Sequence, residues 1–170
     1  MPIKLYRALI DQICVQCDIK NPESLYETAT NLHLNETNFS LYYGGNIDPF
    51  SALVYADFGA LPVDYPKTVL LRLLETNMYM FGVNSPSFTY NPDNQHILLM
   101  FRVPLANASA DSVLEILAGI SNIAVAWRKD YYLLDDERQD AGLSRDRLKG
   151  TADRLKARLS PAAAPSDKNK

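Results

Sequence analysis

The chain has 170 residues, 47% of them apolar and 22% charged, with two cysteines and a net charge of −3. That balance suits one compact domain burying about two thirds of its chain surface, and it excludes a scaffold built on disulfides. Residues 1–134 carry 8 Lys+Arg against 13 Asp+Glu, or −5, and residues 135–170 carry 9 against 7, or +2, so the acidic body argues against a nucleic-acid partner.

The N-terminal MPIKLYRALIDQ lacks the apolar stretch of a secretory signal, and no window reaches ~18 uncharged apolar residues. A soluble cytoplasmic protein without membrane insertion is expected. Tyr6, Ile10, Ile13, Cys14 and Cys17 share one face of a first helix over roughly 3–18, which Asn21-Pro22 ends. Leu25 to Leu34 alternates as a half-buried strand, with His33 on the solvent side. Phe39, Leu41 and Tyr43 repeat that pattern before a turn at Gly44-Gly45-Asn46.

From Phe50 to Phe58 the alternation puts Phe50, Ala52, Val54, Ala56 and Phe58 on one face, yet Leu53 and Tyr55 make the other face apolar too. A second helix follows Pro62, with Pro66 in its first turn and Leu70, Leu73, Leu74 and Asn77 along one stripe. Asn77 tolerates a left-handed backbone and is expected to end that helix, leaving Met78-Tyr79-Met80-Phe81 as an apolar exit. Strands near Ser87–Tyr90 and Gln95–Val103 join across Asn91-Pro92-Asp93-Asn94, and here Leu98 and Met100 again oppose the regular face.

Ser109 is placed to cap a third helix carrying Val113, Ile116, Leu117, Ile120, Ile123, Ala124 and Trp127, with Arg128 and Lys129 at its C-terminal end. Residues 135–142 read as a solvated linker, 143–159 as a short charged helix with a narrow leucine stripe, and 161–170 as disordered. The order α-β-β-β-α-β-β-α, with hairpin-length connections, predicts an α+β domain over 1–134. Its sheet is a twisted antiparallel one of about five strands with three helices, followed by a charged C-terminal extension, 135–170. The extension has little apolar surface to bury, so its removal is expected to leave the fold intact.

Cys14-Val15-Gln16-Cys17 has the spacing of a redox pair or half of a zinc site. It lies deep in a helix rather than at an N-terminus after a strand, where the dipole would lower a thiol pKa. A zinc ion would need His33 and His96, which lack finger spacing. Buried helix cysteines are the simpler reading, with a small redox or metal protein as the alternative. Asp135-Asp136-Glu137 lacks the glycine and spaced oxygens of a calcium loop, and Gly44-Gly45 is followed by neither helix nor lysine to cradle a phosphate. No catalytic centre, metal or cofactor is predicted, which leaves a binding protein.

FGALPVDYPKTVLLRLLETN, then SFTYNPDNQHILLMFRVPL, then an apolar helix ending in AVAW resemble the Tir-chaperone (CesT-type) family of bacterial type III secretion chaperones. The resemblance spans roughly residues 3–132 in element order. It implies a homodimer that uses no nucleotide itself, holds the N-terminal segment of a secreted effector extended and delivers it to the secretion ATPase. It also gives the stripe and exit of the second helix a role. Leu70, Leu73, Leu74, Asn77, Met78 and Met80 become the dimer interface, whereas a monomer core is the plainer account. Leu53, Tyr55, Leu98 and Met100 become the client-binding patch, against strands buried on both faces. A general adaptor of the same fold, binding a folded partner, is the alternative function.

Overall fold

The computed structural model describes residues 1–20, 25–26, 29–82, 85–133, 150 and 152–157. The elements run α1 (Pro2–Gln16), β1 (Thr30–Leu34), β2 (Thr37–Tyr43), β3 (Ser51–Ala60), α2 (Pro66–Met80), β4 (Ser87–Asn91), β5 (His96–Pro104), a 3-10 turn at Leu105–Asn107, and α3 (Ala110–Asp130). The class is the α+β one expected. All five strands are antiparallel, in the order β1-β2-β3-β5-β4.

Local chemistry fixes the register. Asn35 and Glu36 form a two-residue loop with φ of 42° and 61°, the doubly left-handed turn whose twist matches that of its flanking strands. Ser121 of α3 lies against this hairpin, its hydroxyl 2.9 Å from the Leu34 carbonyl and 3.1 Å from that of Asn35. The β3–β5 ladder slips between Asp57 and Gly59, where Gly59 takes φ +104° and its N–H donates to the Asp57 carboxylate at 2.9 Å. A Cβ at Gly59 would stand 3.4 Å from Cδ of Arg128. The absence of a side chain lets the Arg128 stem lie there, while its guanidinium donates to the Phe58 carbonyl and Thr37 Oγ1, each at 3.3 Å.

The core lies between one sheet face and the helices α1 and α3. Phe39, Leu41, Val54, Phe58 and Leu99 meet Ile10 and Ile13 of α1 and Leu117, Ile120 and Trp127 of α3. Phe58 is the aromatic hub, edge-on to Phe88 at 5.1 Å and to Trp127 at 5.9 Å. Helix α3 starts as the sequence indicates: Ser112 N–H donates to Ser109 Oγ at 3.2 Å, and Ser109 N–H to Ser112 Oγ at 3.1 Å. By length and composition alone α3 is apolar enough to cross a membrane, but it is a helix of this core, with Trp127 fully buried.

Three expectations change. Helix α2 does not end at Asn77; it continues through Met78 and Met80 and closes at Phe81, whose backbone is extended at φ −51° and ψ 132°. Asn77 stays helical because its side chain is spent on strand β4, described below, and not on a local turn. Of the strand expected over 25–34, the described residues form Thr30–Leu34. Tyr26 is held against α1 instead, its hydroxyl bonded to the Asp11 carboxylate and its ring 5.2 Å from the Arg7 guanidinium carbon.

The third change concerns the extension. Residues 152–157 are helical, and Ala152 and Leu155 are fully buried in the core cluster. Arg154 and Ala157 border a groove whose other wall is Gly119, Asn122 and Ile123 of α3. This segment therefore has apolar surface that it buries, contrary to the composition-based expectation. The linker read over 135–142, the disorder read over 161–170 and the rest of the 143–159 helix lie outside the described residues. Leu155→Ala is expected to cost about 2–5 kcal/mol, the range for a buried leucine whose site collapses incompletely. Deleting 136–170 should likewise lower the urea midpoint followed by circular dichroism, and an unchanged midpoint in both variants would contradict this packing.

Candidate binding surfaces

Because side chains alternate along a strand, the residues opposite the core share the sheet's other face. On β3 these are Leu53 and Tyr55, and on β5 Leu98 and Met100. Tyr55 pairs directly with Met100, Leu53 with Arg102, and Leu98 with Asp57. All four predicted residues are half-buried and lie outside the continuous core, so the structure brings them together on one surface. Tyr42 joins them: it pairs with Leu53, is 40% exposed, and meets the Tyr55 ring edge-on at 5.3 Å. The sequence reading passed over Tyr42 because it followed only the core-facing parity of Phe39, Leu41 and Tyr43.

Polar pairs bound this apolar row. Arg102 reaches Asp48 at 3.5 Å, and His96 Nδ1 lies 2.9 Å from the Asp57 carboxylate. Across β1 and β2 the same face is polar, with Ser40 donating to Asn31 at 2.7 Å and His33 Nδ1 2.7 Å from Asn38 Oδ1. The face is thus divided between a hydrogen-bonded half and an apolar half. Apolar groups spaced two residues apart match the side-chain repeat of an extended polypeptide.

Helix α2 offers the second surface. Its inner face carries Val69, Arg72, Leu73, Thr76 and Met80. Leu73, 4% exposed, and Met80, fully buried, are therefore covered within their own chain and have almost no surface left for a second subunit. This narrows the six residues read as an interface. Leu70 is half-buried against the core, Asn77 is half-buried, and Leu74 and Met78 are each 62% exposed. Leu71, 62% exposed, went unread, and Phe81, 87% exposed, was read as part of the apolar exit but not among the six interface residues. Leu71, Leu74, Met78 and Phe81 recur at spacings of three, four and three, a stripe visible in the sequence but hidden by attention to the neighbouring Leu70–Leu73–Asn77 face.

Asn77 is a polar contact between α2 and the sheet. Its Oδ1 accepts from Phe88 N–H at 2.7 Å and its Nδ2 donates to the Phe88 carbonyl at 3.0 Å. One side-chain amide thereby meets both main-chain groups of one residue.

The motifs with chemical potential stay apart. Cys14 is 2% exposed while Cys17, the α1 C-cap, is exposed. Burial pushes the Cys14 thiol pKa up, and the charges of Asp11 and Cys17 add to the rise. Among the described residues no group of three His, Cys, Asp or Glu is placed to hold a metal ion. His33 and His96 sit on the sheet with Asn38 and Asp57 as their neighbours. The thiolate is the reactive form, so limited iodoacetamide is expected to modify Cys17 first and Cys14 only on unfolding. Equal rates in peptide mass analysis would contradict the buried assignment.

The described residues thus form an α+β domain with one sheet face packed against helices and the other apolar over half its width. Residues 48–128, from the turn before β3 through most of α3, match the model of the Tir chaperone protein (CesT) family, the family that the sequence resembles. Among solved structures the chain is similar to one of the ExoT-SpcS complex from Pseudomonas aeruginosa, with a TM-score of 0.45 and 19% identity, covering 74% of this chain and 95% of that one. No curated protein matches the chain.

Proposed function

We propose that the protein is a type III secretion chaperone of the bacterial cytoplasm, acting as a homodimer. In this reading it binds the N-terminal chaperone-binding segment of one or more secreted effectors, keeps it extended, and aids its delivery to the secretion ATPase. It is a binding protein and not an enzyme. The observation that carries the reading is the row of Leu53, Tyr55, Leu98 and Met100, half-buried and separate from the core, on strands inside the family match. An extended client pays conformational entropy when ordered, so its affinity rests on many modest anchors spread over a large surface.

The stripe Leu71, Leu74, Met78 and Phe81 supports the homodimer. Burying each such side chain contributes about 1.5–3 kcal/mol, and association costs about 4–15 kcal/mol. Four on each subunit suffice, and a charge among them does not. Leu74→Glu is therefore expected to give a monomer by light scattering. A monomeric unmutated protein at micromolar concentration would refute the interface.

For the client surface, Leu53 and Leu98 are replaced together by Asp, with fold and dimer checked by circular dichroism and light scattering. Calorimetry against the partner that co-purifies from the native bacterium is expected to show binding weakened by at least about tenfold, the loss of 1.4 kcal/mol or more. Undiminished affinity would reject this surface. A co-purified partner that binds folded but not unfolded would favour the adaptor reading.

A further inference from the structure

Helix α3 is flanked on two sides. Toward the sheet it presents Val113, Leu117, Ile120, Ala124 and Trp127, all fully buried. Gly119, Asn122, Ile123 and Ala126, at spacings of three, one and three, lie on the side turned away from that row. Residues 152–157 run beside this outer side. Their Arg154 and Ala157 form one wall of a groove of about 610 Å³ whose other wall is the outer row of α3, and Tyr132 lines it as well. Within this segment Ala152 and Leu155, three residues apart, are fully buried, while Asp153, Arg154 and Ala157 are exposed. Two side chains make a narrow hold.

Two features of the groove work against that hold. The chain leaves α3 through Tyr131 and Tyr132, at φ of 53° and 60°, consecutive bulky residues in the left-handed region that L side chains disfavour. Asp130 fixes the turn, its carbonyl accepting from Leu133 N–H at 2.8 Å and its carboxylate from Tyr132 N–H at 2.9 Å. Tyr132 is 7% exposed, and its hydroxyl is buried without a hydrogen-bond partner. Such strain persists only where the surroundings impose it, and an unpaired hydroxyl gains its hydrogen bond as soon as water reaches it. Lifting the segment off the groove supplies that water.

We propose that residues 152–157 are a detachable strap, which occupies a helix-docking groove on the outer side of α3 and is displaced by an amphipathic helix of a partner protein. The class of partner follows from what sits there now: a helix with apolar side chains three residues apart and the basic Arg154 and Lys156 beside them. A partner helix with a larger apolar residue in the place of Ala157 fills space that the strap leaves empty. That difference lets it win, since a ligand shifts an equilibrium only by its preference for one state. The groove shares no residue with the apolar row of the sheet or with the stripe of α2, so it stands whether or not those surfaces bind a client.

NMR on the full chain tests the strap, with a synthetic peptide of the sequence 148–159, LKGTADRLKARL, carrying Ala157→Leu, as the probe. In the unmutated protein the amides of residues 155–157 should exchange with solvent at least about tenfold faster than that of Trp127, because the strap opens while the core stays closed. In Tyr132→Phe, which removes only the unpartnered hydroxyl, those amides should slow by about fivefold or more. Leu155→Asp should free the groove and bind the peptide at least about tenfold more tightly than the unmutated chain does, with shifts at Gly119, Ile123 and Ala126. The same peptide with alanine kept at 157 should bind about tenfold more weakly.

Strap amides that exchange no faster than Trp127 overturn the proposal, and so does a Leu155→Asp chain that no longer folds, because either makes 152–157 an inseparable part of the core. Unchanged or faster strap exchange in Tyr132→Phe overturns the strained closure. Equal peptide affinity for the two chains, or shifts confined to residues outside the groove, overturns the docking role.

Discussion

Five antiparallel strands present two faces, and among the described residues helices α1 and α3 cover one of them. That constraint organises the rest of the molecule. Helices α1 and α3 seal the face built from Phe39, Leu41, Val54, Phe58 and Leu99, and their anchoring is specific: Arg128 threads over Gly59, Ser121 lies on the β1–β2 turn, and the Tyr6 hydroxyl reaches the Leu41 carbonyl at 3.1 Å. The opposite face is left with Leu53, Tyr55, Leu98 and Met100 in an apolar row beside a polar half. A monomer with no further use for that face would gain from charged residues there, since exposed apolar surface on strands invites association.

Element types and order could be read from the sequence because alternation and helical spacing are local signals. The capping serines of α3, the Gly44-Gly45 turn and the two-faced strands all depend on residues within a few positions of one another. The errors came where a tertiary contact overrode a local preference. Asn77 has the chemistry of a helix terminator, but it hydrogen-bonds Phe88, eleven positions away, and nothing near it announces that partner. Tyr26 reads as a strand residue by alternation, yet Asp11 and Arg7 claim its two ends. The segment holding Leu155 read as having little apolar surface to bury because its neighbours are charged, and only the fold brings Leu155 into the core cluster.

The apolar row was legible for a related reason. A strand's parity is readable without knowing its neighbours, so Leu53, Tyr55, Leu98 and Met100 could be picked out one by one, but their adjacency depends on the β3–β5 register. The bulge at Asp57–Gly59 lies beyond the Tyr55–Met100 pair, so it leaves the row intact and shifts only the end near His96. The helical stripe was harder. On α2 apolar residues surround much of the circumference, and a period of 3.6 does not say which of two adjacent leucines turns inward.

The rotation of α2 settles that choice, and Asn77 fixes the rotation. Turning the helix by one residue moves its faces by about 100°, enough to bring Leu74 toward the core and carry Leu73 out. Packing alone discriminates weakly between them, since both are leucines of equal volume. Hydrogen bonds do discriminate, because only one rotation delivers the amide to both Phe88 groups, and a misplaced Asn77 would leave polar groups of the strand and the helix unpaired at a cost of about 1–3 kcal/mol each. The inner set of Val69, Leu73, Thr76 and Met80 then follows, and with it the outer set of Leu71, Leu74, Met78 and Phe81. A single amide thereby couples the main-chain groups of Phe88 on β4 to the identity of the apolar stripe that α2 presents to solvent.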